Sequence, residues 1–222
     1  MRRMLSRLTV STLGVCVLSL LSLGSHGIAP AAAQEATPAA VTFPVSPDAV
    51  ECMVESRPLA DFEQLLLATP EADPANPAPF VVPDGEPADA ATVSGVTRTL
   101  VELYACYQAG DPRRFHALYT NEGLERAFPP GMVTQEFFDE FFAASPRPVE
   151  EPDRRATVLA IEDVTLLPDG RVGALVRSDE PEFGGLWTVY WIFIEVGDRF
   201  LVDDVIHDVP IDGTLEMSTP MP

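Results

Sequence analysis

Residues 186–206 read LWTVYWIFIEVGDRFLVDDVI, a strongly apolar run that is broken by one Gly-Asp pair. β-branched and aromatic residues dominate both halves, and Gly197-Asp198 is a turn signal. The stretch therefore predicts two antiparallel strands, Leu186 to Val196 and Arg199 to Ile206. Because Trp187 to Ile194 has no charged position, we expect the first strand to be central and covered on both faces.

A second hairpin is expected just upstream. Ala156 to Leu167 is rich in β-branched and apolar residues, Pro168-Asp169-Gly170 is a turn signal, and Arg171 to Arg177 returns. These four segments predict an antiparallel sheet in the last third of the chain.

Three helices are predicted before the sheet. Apolar residues at three- and four-residue steps predict a helix over 92–109. A second helix is predicted to begin at Asp111-Pro112, where Asp111 is the cap and Pro112 the first helical residue. The stretch 121–123 is expected to end it. Residues 124–128 are interpreted as a short strand or turn, and an aromatic face predicts a third helix over 134–144. The order predicts an α+β domain over 92–208, with three helices followed by a curved antiparallel sheet, and a tail at 209–222.

Residues 34–91 are interpreted as an arm. This stretch holds ten prolines, which exclude long helices and strands. One short helix is predicted over 57–68, where leucine and phenylalanine recur at helical spacing. We expect 48–68 to dock on the main domain and 69–90 to form an irregular loop.

The first 33 residues match a secretory signal peptide. Three arginines occur within the first seven residues, residues 8–23 carry no charge, and Ala31-Ala32-Ala33 supplies a small-residue cleavage site. We expect cleavage before Gln34 and a secreted or extracytoplasmic product. An uncleaved membrane anchor is the alternative, although the apolar run is shorter than the roughly 20 residues of a spanning helix.

The chain is strongly acidic. It has 34 acidic residues, 14 arginines and no lysine, for a formal net charge of −20, and loss of the first 33 residues would leave −23. A surface of this charge repels nucleic acid and anionic lipid, so neither is expected as a partner. It favours solubility, and an attraction for cationic ligands is the alternative role.

Two cysteines remain once Cys16 leaves with the signal peptide. Cys52 and Cys106 form an even pair in an oxidising compartment, which predicts a disulfide that contributes about 4 kcal/mol in the chain-entropy description. Two buried free thiols are the alternative. His116 and His207, the histidines of the exported part, lack metal-ligand spacing, so no metal or other cofactor is expected.

Three segments carry a family resemblance: VELY at 101–104 with Gly110-Asp111, FHALYT at 115–120, and the strand pair at 187–205. With them, residues 92–208 resemble the nuclear transport factor 2-like superfamily, which has a cystatin-like fold and includes the SnoaL-like cyclases and ketosteroid isomerase. The resemblance implies a sheet that wraps into a cone around the helices, with a pocket at the open end. It also implies pairing of two copies through the sheet, as is common in the superfamily.

The resemblance supplies no complete catalytic set. Ketosteroid isomerase uses an aspartate base with a tyrosine and a protonated aspartic acid; Tyr104 or Tyr107 resembles the tyrosine, and neither acid has a match. The candidates for acid–base chemistry are Tyr104, His116, Asp204 and His207, because histidine titrates near neutral pH and Asp204 with His207 would form a base at a pocket rim. Histidines without a chemical role are the alternative.

Aromatic residues with polar tips suit the lining of a small-molecule pocket. The candidates are Tyr104, Tyr107, Tyr119, Trp187, Tyr190 and Trp191. A packed core or a dimer face is the alternative for each. The acidic residues Asp179, Glu180 and Glu182 lack the spacing of a calcium loop and are interpreted as a solvated turn.

Three functions are compatible with these patterns. The first is non-catalytic binding of a small apolar ligand or a partner protein in a cone-shaped pocket. The second is a small enzyme of the SnoaL-like class, an isomerase, cyclase or dehydratase, which requires two polar residues to converge in the cavity. The third is a dimerisation module, which the doubly apolar strand at 186–196 favours.

Overall fold

The computed structural model describes residues 42–67 and 81–207. The predicted signal peptide at 1–33, the loop residues 69–80 and the tail at 209–222 lie outside that part of the chain, so what was predicted for them stays a prediction. Within the described residues, no helix is long and apolar enough to cross a membrane.

The arm contributes one helix, as predicted. Helix α1, Leu59–Phe62, continues as a π-helical turn, Glu63–Leu67. Phe62 and Leu66 on this segment are buried in the main core. Upstream, Cys52 forms the predicted disulfide with Cys106, so the arm is joined covalently to the following helix.

Two helices begin at their local caps. Helix α2, Ala90–Gln108, starts after Asp89, whose carboxylate accepts from the backbone N–H of Thr92. Helix α3, Pro112–Phe115, starts after Asp111, which accepts from two backbone N–H groups as the sequence predicted. A 3₁₀ turn, His116–Leu118, then extends α3.

The segment 121–128 was predicted wrongly. It is a helix, α4, spanning Asn121–Ala127, and Thr120 caps it by accepting from the N–H of Gly123. Gly123 does not end a helix here; it lets the helix approach the sheet, since a Cβ at this position would lie 2.6 Å from the carbonyl oxygen of Val202. Helix α5, Gln135–Phe141, follows after the cap Thr134 and matches the predicted third helix.

The sheet is open, antiparallel and five-stranded, in the order β1-β2-β3-β4-β5. Its first strand, β1, is a two-residue edge piece, Glu86–Pro87, which pairs with β2. The remaining strands form the two predicted hairpins: β2, Thr157–Leu166; β3, Val172–Glu180; β4, Gly185–Val196; and β5, Arg199–Ile206. The coarse prediction of a mixed α+β fold with an antiparallel sheet is therefore confirmed.

Strand β4 is an inner strand whose middle is apolar and buried on both faces, as predicted, although β3 is the central strand of the five. Strand β4 lies between β3 and β5. Val189, Trp191 and Phe193 belong to the main core, whereas Tyr190 and Ile192 belong to a second buried cluster with Leu167. Successive residues of a strand point to opposite faces, so the odd-numbered residues of β4 face the main core and the even-numbered ones face the other side of the sheet.

A β-bulge in β5 reverses which alternate residues of that strand face the core. Ile192 lies opposite Asp204 and Phe193 lies opposite Val202, which leaves Asp203 as the extra residue. Asp203 is buried and accepts from Thr120, and it pairs with Arg126 at 2.9 Å and Arg171 at 3.0 Å. The bulge thus ties α4 and the β2–β3 turn to β5.

Candidate functional site

A cavity of about 1050 Å³ lies among α2, α3 and the inward face of β4. Sites for small molecules typically occupy roughly 300–1,000 Å³, so this cavity has room for a complete organic ligand. Aromatic residues form a large part of its lining. They are Tyr104, Tyr107, Phe115, His116, Tyr119, Phe141, Phe183, Trp187, Trp191 and His207.

Strand parity and helix spacing bring these rings together. Trp187, Val189 and Trp191 are alternate residues of β4 and all line the cavity. Tyr104 and Tyr107 are three residues apart on α2 and therefore lie on one side of that helix. Five of the six predicted pocket residues line this cavity.

Tyr190 does not line it, which corrects the sixth of those predictions. It neighbours Trp191 in sequence, so the two side chains must leave opposite faces of β4. Its ring packs over Gly173 on the other side of the sheet, where a Cβ on the glycine would lie 1.8 Å from the Tyr190 hydroxyl oxygen.

Tyr104 and Glu180 form the polar centre of the cavity wall. The Tyr104 hydroxyl donates to Oε1 of Glu180 at 2.8 Å, and the Ser178 hydroxyl donates to the same oxygen at 2.7 Å. Burial and the nearby negative charge of Glu180 hold the pKa of Tyr104 well above its usual value. Tyr104 is therefore a neutral donor, and Glu180 presents a second carboxylate oxygen that neither residue occupies.

A second tyrosine–carboxylate pair lies beside the first. The Tyr107 hydroxyl donates to Oε2 of Glu182 at 3.0 Å, and Arg154 pairs with the other oxygen of the same carboxylate. Burial and this hydrogen bond raise the pKa of Tyr107. Arg154 also lies 3.5 Å from Glu151, so the charge of Glu182 is balanced by an arginine that another acid shares.

The interpretation of Glu180 as part of a solvated turn is therefore wrong, whereas Glu182 is exposed, as that interpretation expects. Both line the cavity and both accept hydrogen bonds from tyrosines of α2. The signal that points to Glu180 is alternation along β3: buried Val176 and Ser178 precede it by four and two residues on the same face. Glu182 lies in the following 3₁₀ turn, Pro181–Phe183, and alternation gives no indication of its direction.

His116 lines the cavity as a neutral imidazole. Its Nδ1 donates to the carbonyl oxygen of Pro112 at 2.8 Å, and the side chain lies among the rings of Tyr119, Phe128 and Phe142. Burial lowers the pKa of His116 to about 4. The expectation of an imidazole that titrates near neutral pH is corrected: His116 offers an Nε2 acceptor and is a poor base.

His207 and Asp204 are separated by the sheet. His207 lines the cavity, and its ring meets that of Trp187 edge-on with centroids 6.4 Å apart. Asp204 lies opposite Ile192 on the other face and accepts from the N–H of Val205. In the described part of the chain no hydrogen bond joins Asp204 to His207, so the predicted Asp–His base is not assembled.

Trp191 presents a polar group without a partner. Its side chain is buried and lines the cavity, and its Nε1–H finds no acceptor among the residues that the structure describes. A buried donor left unpaired costs about 1–3 kcal/mol of stability.

Comparison with protein-family models, curated proteins and solved structures finds no match to this chain. What the cavity does is therefore argued from its own geometry.

Proposed function

We propose that the protein is an exported binding protein that holds one small, mainly apolar molecule in the cavity among α2, α3 and β4. The observation that carries the proposal is a cavity of about 1050 Å³ walled by aromatic rings, with hydrogen-bonding groups at a few fixed places. The disulfide between Cys52 and Cys106 supports an oxidising, extracytoplasmic location. A nuclear transport factor 2-like fold, with the sheet curved into a cone, belongs to the same proposal.

Tryptophan fluorescence tests this proposal directly. The chain has two tryptophans, Trp187 and Trp191, and both line the cavity. Titration with octan-1-ol, a neutral apolar probe, is expected to change their emission in a saturable way. Emission that does not saturate with probe would contradict binding in the cavity.

A pair of matched variants tests whether the probe occupies the cavity. Val205→Phe adds a ring at a lining position and is expected to weaken octan-1-ol binding by about tenfold or more, because it overlaps the probe. Val196→Phe makes the same change on an exposed part of β4 and should leave binding unchanged. Equal affinities for the two variants would place the probe elsewhere.

One observation favours an enzyme as a second candidate. Tyr104 and Glu180 converge at 2.8 Å in the cavity wall, which meets the requirement for a polar pair. An isomerase would use Glu180 to take a proton from the carbon between an alkene and a carbonyl group and return it at the far end of the alkene. Conversion of a β,γ-unsaturated ketone by the protein but not by Glu180→Gln, followed by ultraviolet absorbance, would support it. A rate no faster than in buffer would oppose it.

Pairing of two copies through the sheet is a third proposal. The outward row of β4 ends in Leu186, which is 78% exposed, and in Val196, which is 49% exposed. Light scattering after size exclusion should give twice the chain mass if these residues meet a second copy. A strict monomer at high concentration would remove this function.

A further inference from the structure

We infer that the ligand of this cavity carries a positively charged ammonium group, which lies against Glu180; this inference rests on the proposed binding function. Four carboxylates line the cavity: Asp111, Glu151, Glu180 and Glu182. Glu180 differs from the other three in having no cationic partner among the residues that the structure describes.

The other three carboxylates are paired. Asp111 lies 3.6 Å from Arg114, Glu151 lies 3.5 Å from Arg154, and Glu182 pairs with Arg154 as well. Within residues 42–67 and 81–207, Glu180 has no ion pair and is held only by the neutral hydroxyls of Tyr104 and Ser178.

Glu180 is also partly shielded from water. Its residue is half-buried at the end of β3, and its carboxylate accepts from the hydroxyl of buried Tyr104. Burial, and after it the negative charge of Glu180, raises the pKa of Tyr119. A negative charge in such surroundings is stabilised by a cation that enters with the ligand.

The aromatic wall suits the same ligand group. Cations are attracted to the faces of tryptophan and tyrosine rings, and quaternary ammonium groups are recognised by several such rings together. Tyr104, Tyr119, Trp187 and Trp191 supply four rings around one cavity. The net charge of −20 adds a long-range attraction for cations.

The arginines of the lining do not reverse this preference. Arg126 is paired with Asp203, and Arg154 is paired with Glu182. Arg147 has no ion pair in the described residues but is exposed, so water hydrates its charge. Glu180 is thus the half-buried charge in the cavity wall for which the described part of the chain supplies no counterion.

Three probes with the same apolar tail test the inference. Octyltrimethylammonium, octan-1-ol and octyl sulfate share an octyl tail and carry a positive, a neutral and a negative head group, respectively. In buffer at physiological salt, which screens distant charges, tryptophan emission of the full exported chain should report binding of the cation at least about tenfold tighter than the alcohol. The sulfate should bind most weakly.

Matched variants assign the preference to one carboxylate. Glu180→Gln keeps an oxygen that accepts from Tyr104 and Ser178, and in this variant the affinity for octyltrimethylammonium should fall to that for octan-1-ol. Glu195→Gln removes the same charge from an exposed residue outside the lining and should keep the preference.

The outcomes separate the two proposals. Equal affinity for cation and alcohol in the unaltered protein, tighter binding of the sulfate, or a preference that survives Glu180→Gln would each overturn the ammonium site while leaving a binding protein. Failure of all three probes to bind would overturn the proposed function as well.

Discussion

The hydroxyl of Tyr104 on α2 donates to Oε1 of Glu180 at the end of β3, at 2.8 Å and across 76 residues of sequence. The bond joins a helix to the sheet inside the cavity. It fixes the direction of the carboxylate, since Ser178 holds the same oxygen at 2.7 Å. The second oxygen is therefore presented in a defined place, as a binding site requires.

Loss of the disulfide should lower stability without destroying the cavity. Replacing Cys52 and Cys106 together by serine is expected to reduce the free energy of unfolding by about 4 kcal/mol, because the unfolded chain regains the freedom of a long loop. Urea unfolding followed by circular dichroism measures this. The unaltered protein should lose the same amount on addition of reductant, and the double variant should not respond to it.

Asp203→Asn should destabilise the fold. The carboxylate is 7% exposed and accepts from Thr120, Arg126 and Arg171, so its loss is expected to cost about 2 kcal/mol. The neighbour Asp204 provides the control, since Asp204→Asn should change stability by less than about 0.5 kcal/mol. Equal losses for the two variants would show that the bulge does not direct Asp203 to the arginines.

The effect of Asp203 should also depend on pH. Burial opposes its charge, but hydrogen bonds from Arg171 and Thr120 and the charge of Arg126 hold its pKa below the usual value. The stability that it contributes is therefore complete above the pKa of an unfolded aspartate, about 3.9, and is lost as the pH falls through the lower folded value. Urea midpoints of the protein and of Asp203→Asn should converge below pH 4 and stay apart at pH 7.

His116 should remain neutral well below pH 6. Its pKa of about 4 lies under the unfolded value of about 6.5, so the unfolded chain binds a proton first and stability falls as the pH drops from 6.5 to 4. In NMR spectra, one imidazole should keep the Nδ1–H tautomer down to about pH 5. The His116 signal should persist in the variant His207→Gln, which assigns it. A protonation midpoint of this signal near pH 6.5 would contradict burial of His116.

Gly123→Ala should destabilise a helix that alanine normally favours. The added Cβ would lie 2.6 Å from the carbonyl oxygen of Val202, and crowding of this kind costs about 1–3 kcal/mol. Glu122→Ala, at the exposed preceding position of α4, should be neutral within about 0.5 kcal/mol. Thermal unfolding of the two variants measures both effects. A stabilising Gly123→Ala would show that the contact between α4 and β5 does not require glycine.

Local signals in the sequence were sufficient for several elements. Asp111-Pro112 begins α3 because a cap and a first-turn proline act within three residues of each other. The Gly-Asp turn and its flanking strands were likewise predictable, since β-branched residues and a turn pair need only their neighbours. The segment 121–127 was missed, because glycine normally disfavours a helix and the contact that explains Gly123 comes from β5.

The candidate site was likewise predictable only in part from local sequence. The sequence indicated which aromatic residues could line the cavity. Its prediction was wrong for Tyr190, because Tyr190 and Trp191 are adjacent in β4 and point to opposite faces of the sheet. The position of Glu180 in the cavity wall was not predictable, because only the position of α2 brings Tyr104 over it.

By itself, the sequence determined the acidic charge, the cysteine pair, the capped helices and the doubly apolar inner strand, because each depends on composition or on spacing over a few residues. Tertiary structure alone decided which face of β4 meets the helices and where the bulge at Asp203 falls. That bulge adds one residue to β5, which directs Asp204 to the far face and places Val205 and His207 in the cavity wall. Which alternate residues of a strand face the core depends on the elements that cover the strand. Those elements come from distant parts of the chain, so no single stretch of sequence decides it.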